Sequence, residues 1–185
     1  MRKKVLYASI SLLMSIVFMH GYGKMDTTSF ESKRITKSAT ITLNGTIDNV
    51  LPLFGAREEQ KWAPDWKPEF IYPRDKNDEK NNVFKVEHKA AGSHHSIVNY
   101  WVMTEFSTEL KKVSYAIFSG HDITTISIQC DAVSDSSTMA VVDYVWTSLD
   151  ERGDKMIERK SEGIFSEDLK DWEHAINRYL QQSAR

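Results

Sequence analysis

Residues 138–149 read Thr138-Met-Ala-Val-Val-Asp-Tyr-Val-Trp-Thr-Ser-Leu149, and the chain changes period just after them. Asp143 marks a wet face, which turns Ala140, Val142, Tyr144 and Trp146 to the other side of a strand. From Glu151 to Gln182 the apolar residues Ile157, Ile164, Phe165, Leu169, Trp172, Ile176 and Leu180 recur at threes and fours instead. That spacing predicts a long amphipathic helix, with a bend where Gly163 weakens it. A half-buried strand running into a long one-faced helix points to a single sheet with that helix packed across it.

Upstream, four more runs at short spacing fit an antiparallel meander: Val83–His88, Ser96–Phe106, Lys112–Phe118 and Ile123–Ala132. Alternation assigns their inner faces. Phe84, Val86 and His88 face inward on the first, Val113, Tyr115 and Ile117 on the third, and Ile126, Ile128 and Cys130 on the fourth. On Ser96–Phe106 the face carrying Trp101 and Met103 is taken as inner, which also turns Asn99 and Glu105 inward. Ahead of the meander, Ile35–Leu43 alternates as a first strand and Asn44-Gly45-Thr46 ends it. A short helix follows with Ile47, Val50, Leu51 and Phe54 as its buried stripe, capped by Thr46 or Asp48 and kept short by Pro52. Residues 55–74 combine breakers with aromatics and end in a brief strand near Glu69–Tyr72. Asn44-Gly45-Thr46 also matches a glycosylation sequon, but the turn-and-cap reading is preferred.

The first 23 residues form a separate object. Arg2, Lys3 and Lys4 precede an uncharged stretch from Val5 to Met19, and Gly21-Tyr22-Gly23 supplies small residues for a cut before Lys24. That layout predicts a secretory signal peptide, with an uncleaved membrane anchor as the alternative, and a periplasmic or secreted protein. Residues 24–33 read as a flexible polar linker and residues 34–185 as one domain. Removing residues 1–23 takes three basic and no acidic residues from totals of 24 and 26, leaving 21 basic against 26 acidic, a net of −5. An acidic chain argues against nucleic-acid binding. The single Cys130 excludes an intrachain disulfide.

Two stretches carry a family resemblance. Leu51-Pro-Leu-Phe-Gly55 followed by Arg57-Glu58, Lys61-Trp62-Ala63-Pro64, Trp66 and Pro68-Glu69 resembles a bacterial subgroup of the SRPBCC (polyketide cyclase/START-like) family, with Asp65 where glycine is expected. Trp101–Phe106, Tyr144–Leu149 with Gly153, and the closing Trp172, Ile176, Asn177 and Leu180 are similar too. The resemblance implies an α+β helix-grip fold: a curved antiparallel sheet wrapped around a long C-terminal helix, with short helices after the first strand. It also implies a hydrophobic cavity between sheet and helix, and no particular reaction.

The expected ligand-binding wall is Phe84, Trp101, Tyr115, Tyr144, Trp146 and Trp172. The partner expected is a small hydrophobic or amphipathic molecule such as a lipid, fatty acid or polyketide-like aromatic. No catalytic set, cofactor or metal is expected: His94-His95 lacks the spacing of a ligand set, and Cys130 reads as a small buried hydrophobe. Glu105 and His88 are the only acid/base candidates inside such a cavity, and Glu105 pairing with a lysine at a strand end is preferred. A cyclase- or dehydratase-type enzyme and a protein-interaction module remain the alternatives to a non-catalytic binder.

Overall fold

The computed structural model describes residues 30–74, 77–89, 96–162 and 165–183. The chain divides at Phe30, and Glu31–Arg185 forms one compact unit. The expected export signal (1–23), the first six linker residues (24–29), His94-His95 and Gly163 lie outside the described residues. Among those described, no helix is long and apolar enough to cross a membrane.

Seven strands make one antiparallel sheet: β1 (Arg34–Leu43), β2 (Glu69–Tyr72), β3 (Val83–Lys89), β4 (Ser96–Ser107), β5 (Lys112–Phe118), β6 (Asp122–Ser134) and β7 (Ser137–Ser148). Their order across the sheet is β1-β7-β6-β5-β4-β3-β2, so only the β1–β7 step is not between sequence neighbours. Between β1 and β2 the chain makes a four-residue helix, α1 (Ile47–Val50), then 3-10 turns at Leu51–Phe54 and Glu58–Lys61. Pro52 sits at the start of the first 3-10 turn, where its missing N–H costs nothing. Thr46 is the N-cap residue of α1, but its side chain makes none of the expected capping bonds.

The C-terminal helical stretch expected from the periodicity is described in two parts, α2 (Glu151–Glu162) and α3 (Phe165–Ser183); residues 163–164 between them lie outside the described residues. α2 is docked by an ion pair: Lys160 Nζ lies 2.7 Å from a carboxylate oxygen of Asp122, a residue with no exposed surface. Its N-terminus abuts the β5–β6 turn. A Cβ on Gly153 would lie 2.1 Å from the His121 carbonyl oxygen, which explains the glycine of the Tyr144–Gly153 motif. α3 is latched to β1. Asn177 Oδ1 accepts from the Asn44 N–H at 2.7 Å and its Nδ2 donates to the Thr42 carbonyl at 3.0 Å, while Ile176 is fully buried one residue earlier. Ser32 and Lys33, at the end of the polar lead-in, hydrogen-bond Ser148.

The strand faces follow the alternation on β3, β5, β6 and β7. On β4, Trp101 pairs with Phe84 and Ile117, and Met103 with Tyr115, so the chosen inner face is right up to Met103. A register shift between Met103 and Glu105 then inserts an extra residue. Beyond it Phe106 pairs with inward Val113, and Glu105 pairs with Ser114 on the outer face. The expectation that Glu105 faces inward is thus corrected: a β-bulge reverses the alternation in the last turn of the strand.

Candidate functional site

The segment between α1 and β2 folds back as a cover over the inner face of the sheet. Its motif residues brace one another. Trp62 Nε1 donates to the Leu53 carbonyl at 2.8 Å, and Trp66 Nε1 donates to the Ala56 carbonyl at 2.7 Å. The Arg57 N–H donates to Asp78 Oδ2 at 2.9 Å, its Nη2 donates to the Pro73 and Arg74 carbonyls at 3.0 Å, and its guanidinium lies 3.6 Å from the centre of the Phe70 ring. Gly55 is required by close approach: a Cβ there would sit 2.3 Å from Asp78 Oδ2. The positive-φ non-glycine residues described are Asn81 and Lys111, so Asp65 fills the expected glycine position without entering that region.

Between this cover, the sheet and α3 lies a cavity of about 280 Å³. Phe54, Glu59, Trp62 and Trp66 line it from the cover, Trp101 and Tyr115 from mid-sheet, Ile126 and Ile128 from β6, and Trp172 from α3, with exposed His88 at its rim. The wall is ordered by edge-to-face packing: Trp66 on Trp101 at 5.2 Å, Trp101 on Tyr115 at 5.6 Å and Trp62 on Trp172 at 5.7 Å between ring centres. The Tyr115 hydroxyl donates to the Phe54 carbonyl at 2.6 Å, which ties cover to sheet. The Trp101 Nε1 donor is buried and has no partner among the described residues.

The expected wall therefore divides. Trp101, Tyr115 and Trp172 line the aromatic cavity. Tyr144 and Trp146 line a second, more polar pocket of about 370 Å³ with Lys160, Phe165, Asp168 and Asp171, which Trp172 also borders. Phe165, at the start of α3, packs edge-on against Tyr144 and Trp146 at 5.3 and 6.1 Å. Phe84 lines neither pocket: it is fully buried and forms the floor beneath Trp101, Trp66 and Phe70.

Glu105 and His88 do not meet. His88 pairs with Ile97, and Glu105 stands eight residues further along β4, roughly 25 Å away at strand rise. Glu105 Oε2 lies 3.3 Å from Lys80 Nζ in an exposed pair. Cys130 is buried and burial pushes its thiol up to about 12, as for an inert core residue.

The residue that alternation did not flag is Glu59. It is an acid on the cavity wall, and burial, reinforced by the charge of Asp78, raises its carboxyl from 4.5 to about 8. Its negative charge in turn helps to raise both Tyr115 and Tyr144, behind the larger effect of their burial. A signal was available: Glu59, Trp62, Ala63 and Trp66 stand at i, i+3, i+4 and i+7, so the acid occupies a position on an otherwise apolar stripe.

No family model matches the sequence, and no curated protein does. Solved structures match its fold. A truncated norcoclaurine synthase from Thalictrum flavum superposes with a TM-score of 0.62 at 10% identity, over 82% of this chain and 96% of that one. The Zhui aromatase/cyclase from Streptomyces sp. R1128 gives 0.55 at 10% identity, over 84% and 97%. Ara h 8.0201 gives 0.56 at 15% identity, over 81% and 99%. The chain has the helix-grip fold that these structures share.

Proposed function

We propose that this protein is an exported, non-catalytic binder of a compact, largely aromatic or amphipathic molecule held in the cavity under the cover segment. The observation that carries the reading is the wall itself: four tryptophans with Phe54 and Tyr115, one unpartnered indole N–H and one carboxyl held in its neutral form. Apolar walls with a few placed polar groups are the usual anatomy of small-molecule sites. A volume of 280 Å³ equals the liquid share of about nine water molecules and suits one or two rings better than an extended acyl chain. The helix-grip likeness supports a cavity of this kind, and one neighbour was solved with dopamine and hydroxybenzaldehyde, both compact aromatics.

A second reading rests on Glu59. A carboxylic acid that keeps its proton to about pH 8 in an apolar cavity is suited to protonate a carbonyl, as a cyclase-type enzyme requires. The test is native mass spectrometry of protein from its own compartment, followed by extraction of the bound molecule and re-incubation with it. An unchanged compound supports the binder, a product ion supports the enzyme, and an empty protein that takes up no aromatic probe refutes both. N-terminal sequencing of the same material tests export: a first residue near Lys24 is expected, and a full-length cytosolic chain overturns that part.

A further inference from the structure

We propose that the ligand of the aromatic cavity carries a basic nitrogen, bound as an ammonium against Glu59 and the faces of the surrounding tryptophans. This deepens the binder reading and rests on it.

Three observations converge. First, Glu59 has no hydrogen-bond partner for its carboxyl among the described residues; only burial and the charge of Asp78 act on it. The cations of its own segment are engaged elsewhere, Lys61 with Glu58 and Arg57 with backbone carbonyls and the Phe70 ring. Second, the acid shares the cavity with Trp62, Trp66, Trp101, Trp172 and Tyr115, whose ring faces carry the negative side of a quadrupole. An aromatic enclosure with a carboxyl in its wall attracts a cation and repels an anion. Third, Asp78 adds negative potential to the same spot and is itself raised by burial. Among the described residues, the groups facing Glu59 from neighbouring elements are thus Asp78, His88 at the rim, and the un-ionised hydroxyls of Tyr115 and Tyr144. None supplies a fixed positive charge.

Burial keeps the Glu59 carboxyl protonated at neutral pH, so binding an ammonium there displaces that proton. With the carboxyl at about 8, ionising it at pH 7 weakens binding by about tenfold, and that penalty vanishes above pH 8. Affinity for an amine therefore rises with pH up to about 8, levels off, and falls again only where the amine itself loses its charge.

The experiment compares naphthylmethylamine, naphthylmethanol and naphthoic acid as calorimetric ligands of the folded protein at pH 6.5, 7.5 and 8.5. The amine should bind at least tenfold more tightly than the alcohol at pH 8.5, with the acid weakest. Glu59→Gln, which keeps the shape, should bring amine and alcohol to equal affinity. Glu105→Gln, in an exposed ion pair outside the cavity lining, should leave the amine preference and its rise with pH intact. Equal binding of amine and alcohol to the unsubstituted protein, or a preference that survives Glu59→Gln, overturns the inference while the binder reading stands. If none of the three ligands binds, the binder reading falls with it.

Discussion

The indole of Trp101 lies nearly flat on the ring of Phe84, with centroids 5.7 Å apart and planes inclined by 20°. The two are cross-strand partners on β4 and β3, yet they differ in burial: Phe84 has no exposed surface, while Trp101 faces the cavity. One ring is floor and the other is wall, so the same truncation has different consequences. Phe84→Ala should cost about 3–5 kcal/mol, the range for emptying a packed aromatic site. Trp101→Ala should cost about 1–3 kcal/mol and chiefly weaken ligand binding. Urea melts with probe titrations check both; equal losses of stability would mean that Trp101 is core.

The Lys160–Asp122 pair should behave as a half-buried clamp. Asp122 also accepts from Thr124 Oγ1 at 3.2 Å and from the Ser119 hydroxyl, so it is not orphaned outright when the lysine goes. Lys160→Ala leaves a buried carboxylate short of its counter-charge and should cost about 2–3 kcal/mol, below the loss for a fully buried pair. Chemical denaturation measures it, and a loss under about 0.5 kcal/mol, the scale of a surface pair, would refute the clamp.

Glycines of the motif segments are explained by contact. Gly153→Ala should destabilise by about 2–4 kcal/mol, because the new methyl meets a backbone carbonyl that has no rotamer to yield. A thermal melt within a degree of the parent would show that α2 is free to slide off the β5–β6 turn.

Alternation and the shift of period at Glu151 were enough to read the seven strands, the inner face of most of them and the helical C-terminus. They failed where the determinant is not periodic. The β4 bulge leaves no mark in Trp101–Phe106, so Glu105 read as inward when the extra residue turns it out. Tyr144 and Trp146 do face inward, but sheet curvature and Phe165 place them in the second pocket, a matter of tertiary position. Glu59 lies in the charged run Arg57-Glu-Glu-Gln-Lys61, which reads as solvated surface until the cover folds onto the sheet.

Stability should fall as pH rises through the range set by Glu59. Its carboxyl is raised in the folded protein from 4.5 to about 8, so between those values the folded state holds a proton that the unfolded chain has lost. Folding stability therefore declines with increasing pH across that window and levels off above about 8. Asp78, raised in the same direction, adds to the slope. Glu59→Gln should flatten much of the decline and leave the protein more stable at pH 8 than the parent. Parallel pH profiles for the two proteins would show that Glu59 is an ordinary solvated acid.

Ligand size and the division of the wall can be tested together. The aromatic cavity offers about 280 Å³ and takes its lining from Trp101 but not from Tyr144, which opens on the second pocket with Trp146, Lys160 and Asp168. Flat one- and two-ring molecules should therefore displace a hydrophobic fluorescent probe, and a sixteen-carbon fatty acid should do so poorly. Trp101→Ala removes a stacked wall and should weaken aromatic displacement at least tenfold, about 1.4 kcal/mol. Tyr144→Ala alters the second pocket and should change displacement less than threefold, while Phe165 loses its edge-to-face partner at 5.3 Å and stability drops by about 1 kcal/mol or more. If the fatty acid competes as well as the aromatics and Tyr144→Ala weakens it, the two pockets act as one channel around Trp172, and the ligand is long rather than compact.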